Sequence, residues 1–371
     1  MVRGARVRAA RTARAPGHLD PTRVTLEHQT AIEARWHAIV PPEVVDSARA
    51  LYAWMPRQRS GALPFVDDPY DARREAHWAD AARVADYASM LPEGGTRILD
   101  FGPGDGWPSL PLAAALQHAH VLGVDPAPLR AEVCRRNGAR LGIANAAFVV
   151  GDGTALPVAS ASIDLVTAAA SLEEVREPEA AFVEIARVLR PGGVLRASYQ
   201  VWRLAVPRFE TITLDGGVDS LVYTYAVRTQ DPPRERRYVL VLPADGEAAR
   251  LHAEALVASA EARRAYGETL VDAVSPLGVP LLERLAPLAR RSLVVELRRW
   301  TTDWLLDTLR AAGFAEVRAT VHTGDLARLV GRQLIASGEA EALAPHFDAI
   351  TRALGEASAQ QPGESMVTAI R

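Results

Sequence analysis

The sequence has few of the residues that disulfides and metal sites require. Cys134 is its only cysteine, which excludes an internal disulfide bond and a cysteine-rich metal site. The nine histidines are scattered, and no two have the spacing of metal ligands on one helix face. The sequence therefore predicts no metal centre, and a lone thiol fits a reducing, cytoplasmic compartment.

Long apolar runs and an excess of positive charge are also missing. No apolar run approaches the roughly 20 residues that a helix needs to cross a bilayer, and the formal net charge is -3. We therefore expect neither a membrane nor a nucleic-acid partner. No serine lies in a G-x-S-x-G sequence, so serine-hydrolase chemistry has no candidate nucleophile.

The first fifteen residues are the exception in charge, because they carry five arginines and no acid. No apolar stretch follows them, as a secretory signal would require. A transit peptide or a phosphate-binding arm would have this composition. We favour a solvated, disordered tail over residues 1–20.

Strand-like and helix-like segments alternate over residues 95–203. The strand-like segments read RILDF, HVLGVD, AAFVVGD, SIDLVTAAA and VLRASYQVW. Strands that are apolar on both faces, with helices between them, are typical of a parallel sheet covered by helices. The predicted fold class is therefore α/β, with a doubly wound sheet.

The flanking regions interrupt this alternation. Two strand-like runs around Gly216-Gly217 predict a hairpin, and a third run and a long helix follow it. The resulting division has six segments: 1–20, a disordered basic tail; 21–94, an N-terminal helical segment; 95–203, the core; 204–299, a mixed α+β insert; 300–335, a return to the core with its last helix and strand; and 336–371, a C-terminal helix and a frayed tail.

A glycine-rich turn follows the first strand of the core. Asp100 precedes Gly102, Gly104 and Gly106, and glycines allow positive φ and a close approach of backbone to ligand. A dinucleotide-binding turn would need glycine where Trp107 stands. A carboxylate before the turn repels pyrophosphate and attracts a cation. The turn therefore favours a positively charged ligand with an amino acid moiety and a nucleoside.

Two further acids follow the next two strands. Asp125 ends the second strand, where a carboxylate can accept hydrogen bonds from both ribose hydroxyls. Asp152 and Gly153 follow the third strand, where an acid can accept from the exocyclic amine of a purine. We expect the three sites to line one edge of the sheet.

These motifs resemble those of class I S-adenosylmethionine-dependent methyltransferases, in the type 11-like, small-molecule branch. The resemblance covers residues of about 95–200 and returns near 300–322. Two more of its segments are ARVLRPGGVL at 186–195, which resembles the loop before the fifth strand, and WLLDTLRAAGFAEVRAT at 304–320, which resembles the late helix and strand.

The resemblance implies a Rossmann-like sheet, mostly parallel with a late antiparallel strand. It implies S-adenosylmethionine as cofactor and a small organic molecule as methyl acceptor. It also makes residues 21–94 a lid and residues 204–299 a substrate pocket or a contact in a homodimer. The cofactor-binding residues that it implies are Asp100, Gly102, Gly104, Gly106, Asp125, Asp152 and Gly153.

The end of the fourth strand is where this sequence departs from the family. Small-molecule members of the family have a sequence similar to Leu-His-His at this point, whereas this chain has Leu172, Glu173 and Glu174. We predict Glu173 as the catalytic residue, which deprotonates the acceptor or holds an ammonium group on it. Alternatively, Glu174 and Glu177 form only the acidic first turn of the next helix.

Other side chains are assigned by their place near these strand ends. The predicted substrate-pocket residues are Trp107, Ser171, Tyr199 and Trp202. The lid candidates are Tyr70, His77 and Trp78, although the alanine-rich face around Trp78 favours a core position for that residue. Asp105 is interpreted as a solvated turn or cap residue and not as a cofactor ligand, and residues 234–237 are interpreted as a solvated turn.

The sequence bears on three other functions. A nicotinamide-dependent oxidoreductase is disfavoured by the glycine spacing. A non-catalytic protein that binds the same cofactor is compatible with the missing histidines. Nucleic-acid methylation is suggested only by the arginine-rich start, and the N/D-P-P-Y/F signature of DNA amino-group methylation is absent after the fourth strand.

Overall fold

The computed structural model describes residues 30–45, 49–52, 54, 70–204, 206–217, 219–266 and 277–371. The predicted basic tail lies outside these residues. The described helices are α1 Ala31–Ile39, α2 Arg49–Tyr52, α3 Glu75–Ser89, α4 Ser109–Ala115, α5 Pro128–Arg140, α6 Pro178–Val188, α7 Gly246–Tyr266, α8 Val279–Leu285, α9 Thr302–Ala311, α10 Thr323–Ala336, α11 Ala340–Leu343 and α12 Phe347–Ser358. The described strands are β1 Glu43–Val44, β2 Arg97–Phe101, β3 His120–Asp125, β4 Ala146–Val150, β5 Ile163–Ala169, β6 Leu189–Ser198, β7 Arg208–Gly216, β8 Ser220–Thr229, β9 Arg234–Pro243, β10 Arg291–Arg298, β11 Glu316–Thr320 and β12 Met366–Ile370.

A seven-stranded sheet forms the centre of the core, in the order β11-β12-β6-β5-β2-β3-β4. Only β12 runs against its neighbours, and the other pairings are parallel. Successive residues of β2 point to opposite faces: Ile98 packs with α3, α4 and α5, and Leu99 packs with α6 and α9. The predicted α/β fold, with its late antiparallel strand, is therefore confirmed.

The C-terminal end differs from the expectation that it would fray. Residues 366–370 form β12, which lies between β6 and β11 with four of its five residues buried. Their sequence, MVTAI, is apolar and rich in β-branched residues, which favours a buried strand. The preceding Gln360-Gln361-Pro362-Gly363 ends a helix, and the chain then re-enters the sheet.

A second, five-stranded sheet has the order β1-β10-β9-β8-β7. It contains the predicted hairpin as β7 and β8 and the third strand as β9. One of its faces packs against α1, α7 and α8, and the other packs against Leu51. Residues 234–237 are not a solvated turn, because they begin β9 and pair with both β8 and β10.

The helix α3 is fixed to the sheet and to α12 by buried contacts. Trp78 is fully buried, donates to the Ala72 carbonyl at 2.7 Å, and has its ring 4.7 Å from that of Phe347. Asp86 forms a fully buried ion pair with Arg196 of β6, at 2.6 Å. Trp78 is thus a core residue, as the alanine face around it indicates.

Within the described part of the chain, no helix is both long and apolar enough to cross a membrane. The same residues contain no group of three or more histidine, cysteine or acidic side chains close enough together to hold a metal ion.

Candidate functional site

The three glycines after β2 all have positive φ, at 71° for Gly102, 58° for Gly104 and 114° for Gly106. A β-carbon on Gly102 would lie 2.7 Å from that of Ser171, and one on Gly106 would lie 2.6 Å from Leu110 Cδ1. A β-carbon on Gly104 would meet no atom within 4 Å. Gly102 and Gly106 are therefore required by close packing, whereas Gly104 faces space where a ligand can approach the backbone.

One face of α5 supports this turn from behind. Arg130, Cys134 and Asn137 follow each other at helical spacings of four and three residues. Cys134 Sγ donates to the Gly104 carbonyl at 3.2 Å, and Asn137 Nδ2 donates to the Asp105 carbonyl at 3.4 Å. Arg130 forms an ion pair with the Asp105 carboxylate, which is buried. The interpretation of Asp105 as a solvated residue was wrong, because Arg130 compensates its charge inside the protein.

Asp100 lies beneath the turn and is 0% exposed. Its Oδ2 accepts hydrogen bonds from the Ser109 backbone N–H, at 3.1 Å, and from the Ser109 hydroxyl. Its Oδ1 accepts from the Thr167 hydroxyl at 2.9 Å. Burial raises the pKa of Asp100 to about 6, against the effect of these bonds. Both oxygens are engaged, so Asp100 can act on a ligand only through its charge and through the turn that it holds.

Asp125 ends β3 beside the turn. Its Oδ1 accepts from the Ala127 N–H at 2.8 Å. Burial raises the pKa of Asp125, and the backbone N–H groups of Ala127 and Gly104 oppose that rise. The acid predicted to bind the ribose therefore lies beside the glycine that faces open space.

Asp152 and Gly153 follow β4, the strand next to β3. Asp152 is exposed, and its Oδ1 accepts from the N–H and the hydroxyl of Thr154, each at 2.8 Å. A β-carbon on Gly153 would collide with the Phe101 ring. The structure thus brings the glycine turn, Asp125 and Asp152 to adjacent strand ends, in the predicted order.

The turn after β5 carries the predicted catalytic residue. The Ser171 hydroxyl donates to the Phe101 carbonyl, which joins this turn to the end of β2. Glu173 is 5% exposed, and its Oε1 accepts from the Gln200 N–H at 2.7 Å. Its Oε2 is buried and has no hydrogen-bond partner among the described residues. Burial raises the pKa of Glu173, against the Gln200 bond. An unpartnered buried carboxylate oxygen can take a proton from an acceptor.

Two arginines of the second sheet region hold this turn. Arg237 donates two hydrogen bonds to Glu174, both at 2.9 Å, and Arg299 donates to the Glu173 carbonyl at 2.9 Å. Between the arginines lies Glu235, which is 0% exposed and accepts from Arg299 at 2.6 and 2.9 Å. Burial would raise the pKa of Glu235, but the charges of Arg237 and Arg299 outweigh it and hold the pKa at about 2.

Sequence reasoning missed this ion-pair network. The available signal was the uninterrupted apolar run at 238–242, which directly follows the charged residues. If the strand begins before that run, Glu235 and Arg237 share a face with Val239 and Val241, and their charges belong to a strand end and not to a solvated turn.

Two predicted pocket residues are buried with partners of their own. The Tyr199 hydroxyl lies 3.0 Å from that of Thr302 in the first turn of α9. Trp202 Nε1 donates to the Thr229 carbonyl at 2.7 Å, and the Arg299 guanidinium lies 5.8 Å from its ring. Their place in a substrate pocket stays a prediction. Tyr199 contacts α9 of the core, whereas Trp202 contacts β8 of the second sheet.

Trp107 follows the third glycine and is 8% exposed. The Arg83 guanidinium of α3 lies over its ring, 4.0 Å from the centroid. The Tyr87 ring meets it edge-on at 6.1 Å. Trp107 therefore joins the glycine turn to α3.

Residues 99–197 match a protein family described as a methyltransferase domain. The demethylmenaquinone methyltransferase of Clavibacter sepedonicus is 41% identical over 111 residues, which are 30% of this chain and 44% of the relative. The ubiquinone biosynthesis O-methyltransferase of Xylella fastidiosa is 32% identical over 131 residues, 35% of this chain and 52% of the relative. The chain thus spans about half the length of these curated relatives.

Solved structures with a similar fold include the CcbJ methyltransferase from Streptomyces caelestis, at a TM-score of 0.45 and 14% identity, covering 79% of this chain and 94% of that one. Another is the [4+2]-cyclase SpnF, at a TM-score of 0.41 and 20% identity, covering 88% and 93%. Likeness at this level concerns the fold alone.

Proposed function

We propose that this chain, whose residues 99–197 match a family described as a methyltransferase domain, transfers a methyl group from S-adenosylmethionine to a small organic molecule. The observation that carries the proposal is the glycine turn, in which Gly104 faces open space beside the Asp125 carboxylate. Asp152 at the next strand end extends the same edge.

The residues present suit that cofactor. Asp125 is placed to accept from ribose hydroxyls, and the residues around Asp152 lie where the base would follow. Because β3 and β4 lie on one side of β2, the residues at the ends of β2 and β5 would hold the amino acid end of the cofactor. The buried charge of Asp100 beneath the turn would favour a cation there.

The protein's part in the reaction is alignment and proton removal. When bound, the cofactor supplies a methyl group that its sulfonium activates. A lone pair of the acceptor forms the new bond to the methyl carbon as the carbon–sulfur bond breaks, and that electron pair stays on sulfur. Glu173 Oε2 takes the proton from the acceptor's O–H or N–H group. A raised pKa makes the ionised Glu173 a stronger base than a solvated glutamate.

The names of two relatives support a small organic acceptor, since one is a demethylmenaquinone methyltransferase and the other a ubiquinone biosynthesis O-methyltransferase.

Calorimetry of the full chain with S-adenosylmethionine and S-adenosylhomocysteine tests the cofactor. Incubation with methyl-labelled cofactor and a cell extract, followed by mass spectrometry of labelled compounds, then identifies the acceptor. Absence of affinity for both cofactor forms, or tight binding of NAD(P) instead, would overturn the proposal.

Glu173→Gln tests the base. We expect turnover to fall about 10²- to 10⁴-fold, with S-adenosylhomocysteine affinity within about twofold of the wild type. In the wild type the rate rises with pH through the raised pKa of Glu173, because only the ionised form accepts a proton, and this rise disappears in the variant. Glu177→Gln is the matched control, because Glu177 is an exposed glutamate on the same segment as Glu173. Unchanged turnover in Glu173→Gln would contradict the role.

A non-catalytic cofactor-binding protein is the second candidate. After the fourth strand this chain has glutamates at the positions where small-molecule methyltransferases have a sequence similar to Leu-His-His. The loss of those histidines favours a non-catalytic protein. It predicts cofactor binding that survives Glu173→Ala and no labelled product from any extract.

A further inference from the structure

Arg83 is an arginine without a counter-ion. It is half-buried on α3, and no carboxylate of the described residues lies within salt-bridge distance of it. Its guanidinium carbon lies 4.0 Å from the centroid of the Trp107 ring, and its Nε is buried without a hydrogen-bond partner in the described structure. Other buried arginines of this chain, such as Arg196 and Arg299, are each paired with a carboxylate. A buried charged donor that lacks an acceptor is costly unless a ligand supplies one.

Two more buried donors beside it also lack partners. Trp107 Nε1 and the Tyr87 hydroxyl are both buried, and neither has a hydrogen-bond partner among the described residues. Buried polar groups in native proteins are nearly always satisfied. Arginine and indole N–H groups can only donate, so the missing group must accept hydrogen bonds. The charge of Arg83 makes an anion the best acceptor.

The position of these three donors identifies the anion. Trp107 follows the glycine turn directly. The side chains of Arg83 and Ser198 lie close enough to the Tyr87 hydroxyl to oppose the rise in its pKa that burial causes, although neither makes a hydrogen bond of acceptable geometry with it. Ser198 ends β6, and its hydroxyl accepts from the Ala170 N–H just after β5. The donors thus lie near the ends of β2, β5 and β6, on the opposite side of β2 from Asp125. The nucleoside acids lie on β3 and β4, so this side receives the amino acid end of the cofactor.

We infer that Arg83, with Trp107 Nε1 and the Tyr87 hydroxyl, binds the α-carboxylate of the cofactor's amino acid moiety. The inference rests on the proposed function and adds a subsite to it. It also gives α3 a part in cofactor binding: the helix that Asp86 fixes to the sheet presents Arg83 to the ligand. The orphaned donors are then satisfied only in the complex.

Calorimetry with two ligands isolates the carboxylate. S-adenosylhomocysteine carries it, and S-adenosyl-3-thiopropylamine is the same molecule without it. Hydrogen bonds between charged groups are stronger than those between neutral groups. We therefore expect Arg83→Gln to weaken S-adenosylhomocysteine binding about 10- to 100-fold. The same variant should bind the decarboxylated ligand within about twofold of the wild type. Trp107→Phe, which keeps a ring and removes the N–H, should show the same selectivity with a smaller loss.

Arg332→Gln is the matched control. Arg332 lies on α10 and pairs with Glu75 of α3 at the surface, so its loss should leave both affinities unchanged. Equal effects of Arg83→Gln on the two ligands, or no effect on either, would overturn the subsite while leaving the proposed function intact. Failure of the wild type to bind either ligand would overturn both. The unfolding midpoint of each variant shows that a change in affinity does not come from loss of the fold.

Discussion

Asp100 and Glu235 are both completely buried, yet their pKa values move in opposite directions. Asp100, beneath the glycine turn, accepts hydrogen bonds from Ser109 and Thr167, which carry no charge, and burial raises its pKa to about 6. Glu235, at the junction of the two sheets, also loses hydration, but the charges of three arginines hold its pKa at about 2. Burial alone therefore does not set the protonation of a carboxyl, because the charge of its partners decides the sign.

The two sites also differ in how far along the chain their partners lie. Asp100 takes two of its bonds from a residue nine positions away, and α5 reaches the glycine turn from at most 32 positions away. The turn that carries Glu173 is held by Arg237 and Arg299, which lie 63 to 126 positions from their partners in it. Apart from the Thr167 bond to Asp100 and the Ser171 bond to Phe101, which span 67 and 70 positions, the cofactor end is held by near neighbours within the core, whereas the reaction end is held by the insert. Binding and turnover should therefore be separable by mutation.

The largest expected effect is on stability as a function of pH. A carboxyl whose pKa is raised by folding stabilises the protein below its unfolded pKa, and this contribution is lost as the pH rises through the folded value. For Asp100 the window runs from about 3.8 to about 6, and the full loss is up to about 3 kcal/mol. Asp100→Asn should remove it, so the variant gains stability relative to the wild type as the pH rises from 4 to 7. Urea unfolding across that range measures the difference.

Glu235 supplies the opposite slope as the control. Its pKa is lowered by folding, so its contribution is present above the unfolded value near 4.5 and is lost as the pH falls towards about 2. Asp100→Asn should leave this loss of stability at low pH unchanged. If the difference in unfolding free energy between the wild type and Asp100→Asn does not change with pH, the hydrogen bonds from the hydroxyls outweigh burial at Asp100. Folding would then not raise the pKa of Asp100, and the two acids would not differ in the proposed way.

The second prediction concerns Glu235→Gln, which keeps the shape of the side chain and removes its charge. Arg299 then loses its main partner, and the turn at Glu173 shifts. Because small misplacements of reacting groups cost up to about 10²-fold, we expect turnover to fall about 10- to 100-fold. The affinity for S-adenosylhomocysteine should stay within about twofold, since no contact of the glycine turn passes through Glu235.

Glu296→Gln on β10 is the control for that variant, because Glu296 pairs with Arg234 at the surface and exposed pairs contribute little. Its turnover should equal that of the wild type. If Glu235→Gln instead lowers affinity and turnover by the same factor, the two ends of the site are not independent.

The same difference between local and distant partners explains what the sequence could predict. Gly102, Gly104, Gly106 and Asp125 could be recognised because a strand, a turn and a helix are adjacent in the chain, and periodicity identifies each of them. The pairing of Arg299 with Glu235 could not be recognised, since charge at a strand end looks the same whether it meets water or a partner from another strand. β12 was missed because a polar turn before it resembles a frayed end, and only its pairing with β6 distinguishes the two.

The smallest effect that we predict separates strain from ligand contact at Gly104. Gly104 and Gly142 have similar positive φ, 58° and 68°, and a β-carbon on either meets no atom within 4 Å. Alanine at either position should therefore cost about 1 kcal/mol of unfolding free energy, from the left-handed backbone alone. Only Gly104→Ala should also weaken S-adenosylhomocysteine binding, by about tenfold, because its methyl group enters the space that the ligand occupies. Calorimetry and urea unfolding of both variants check this, and equal affinities for the two would mean that Gly104 faces solvent and not the cofactor.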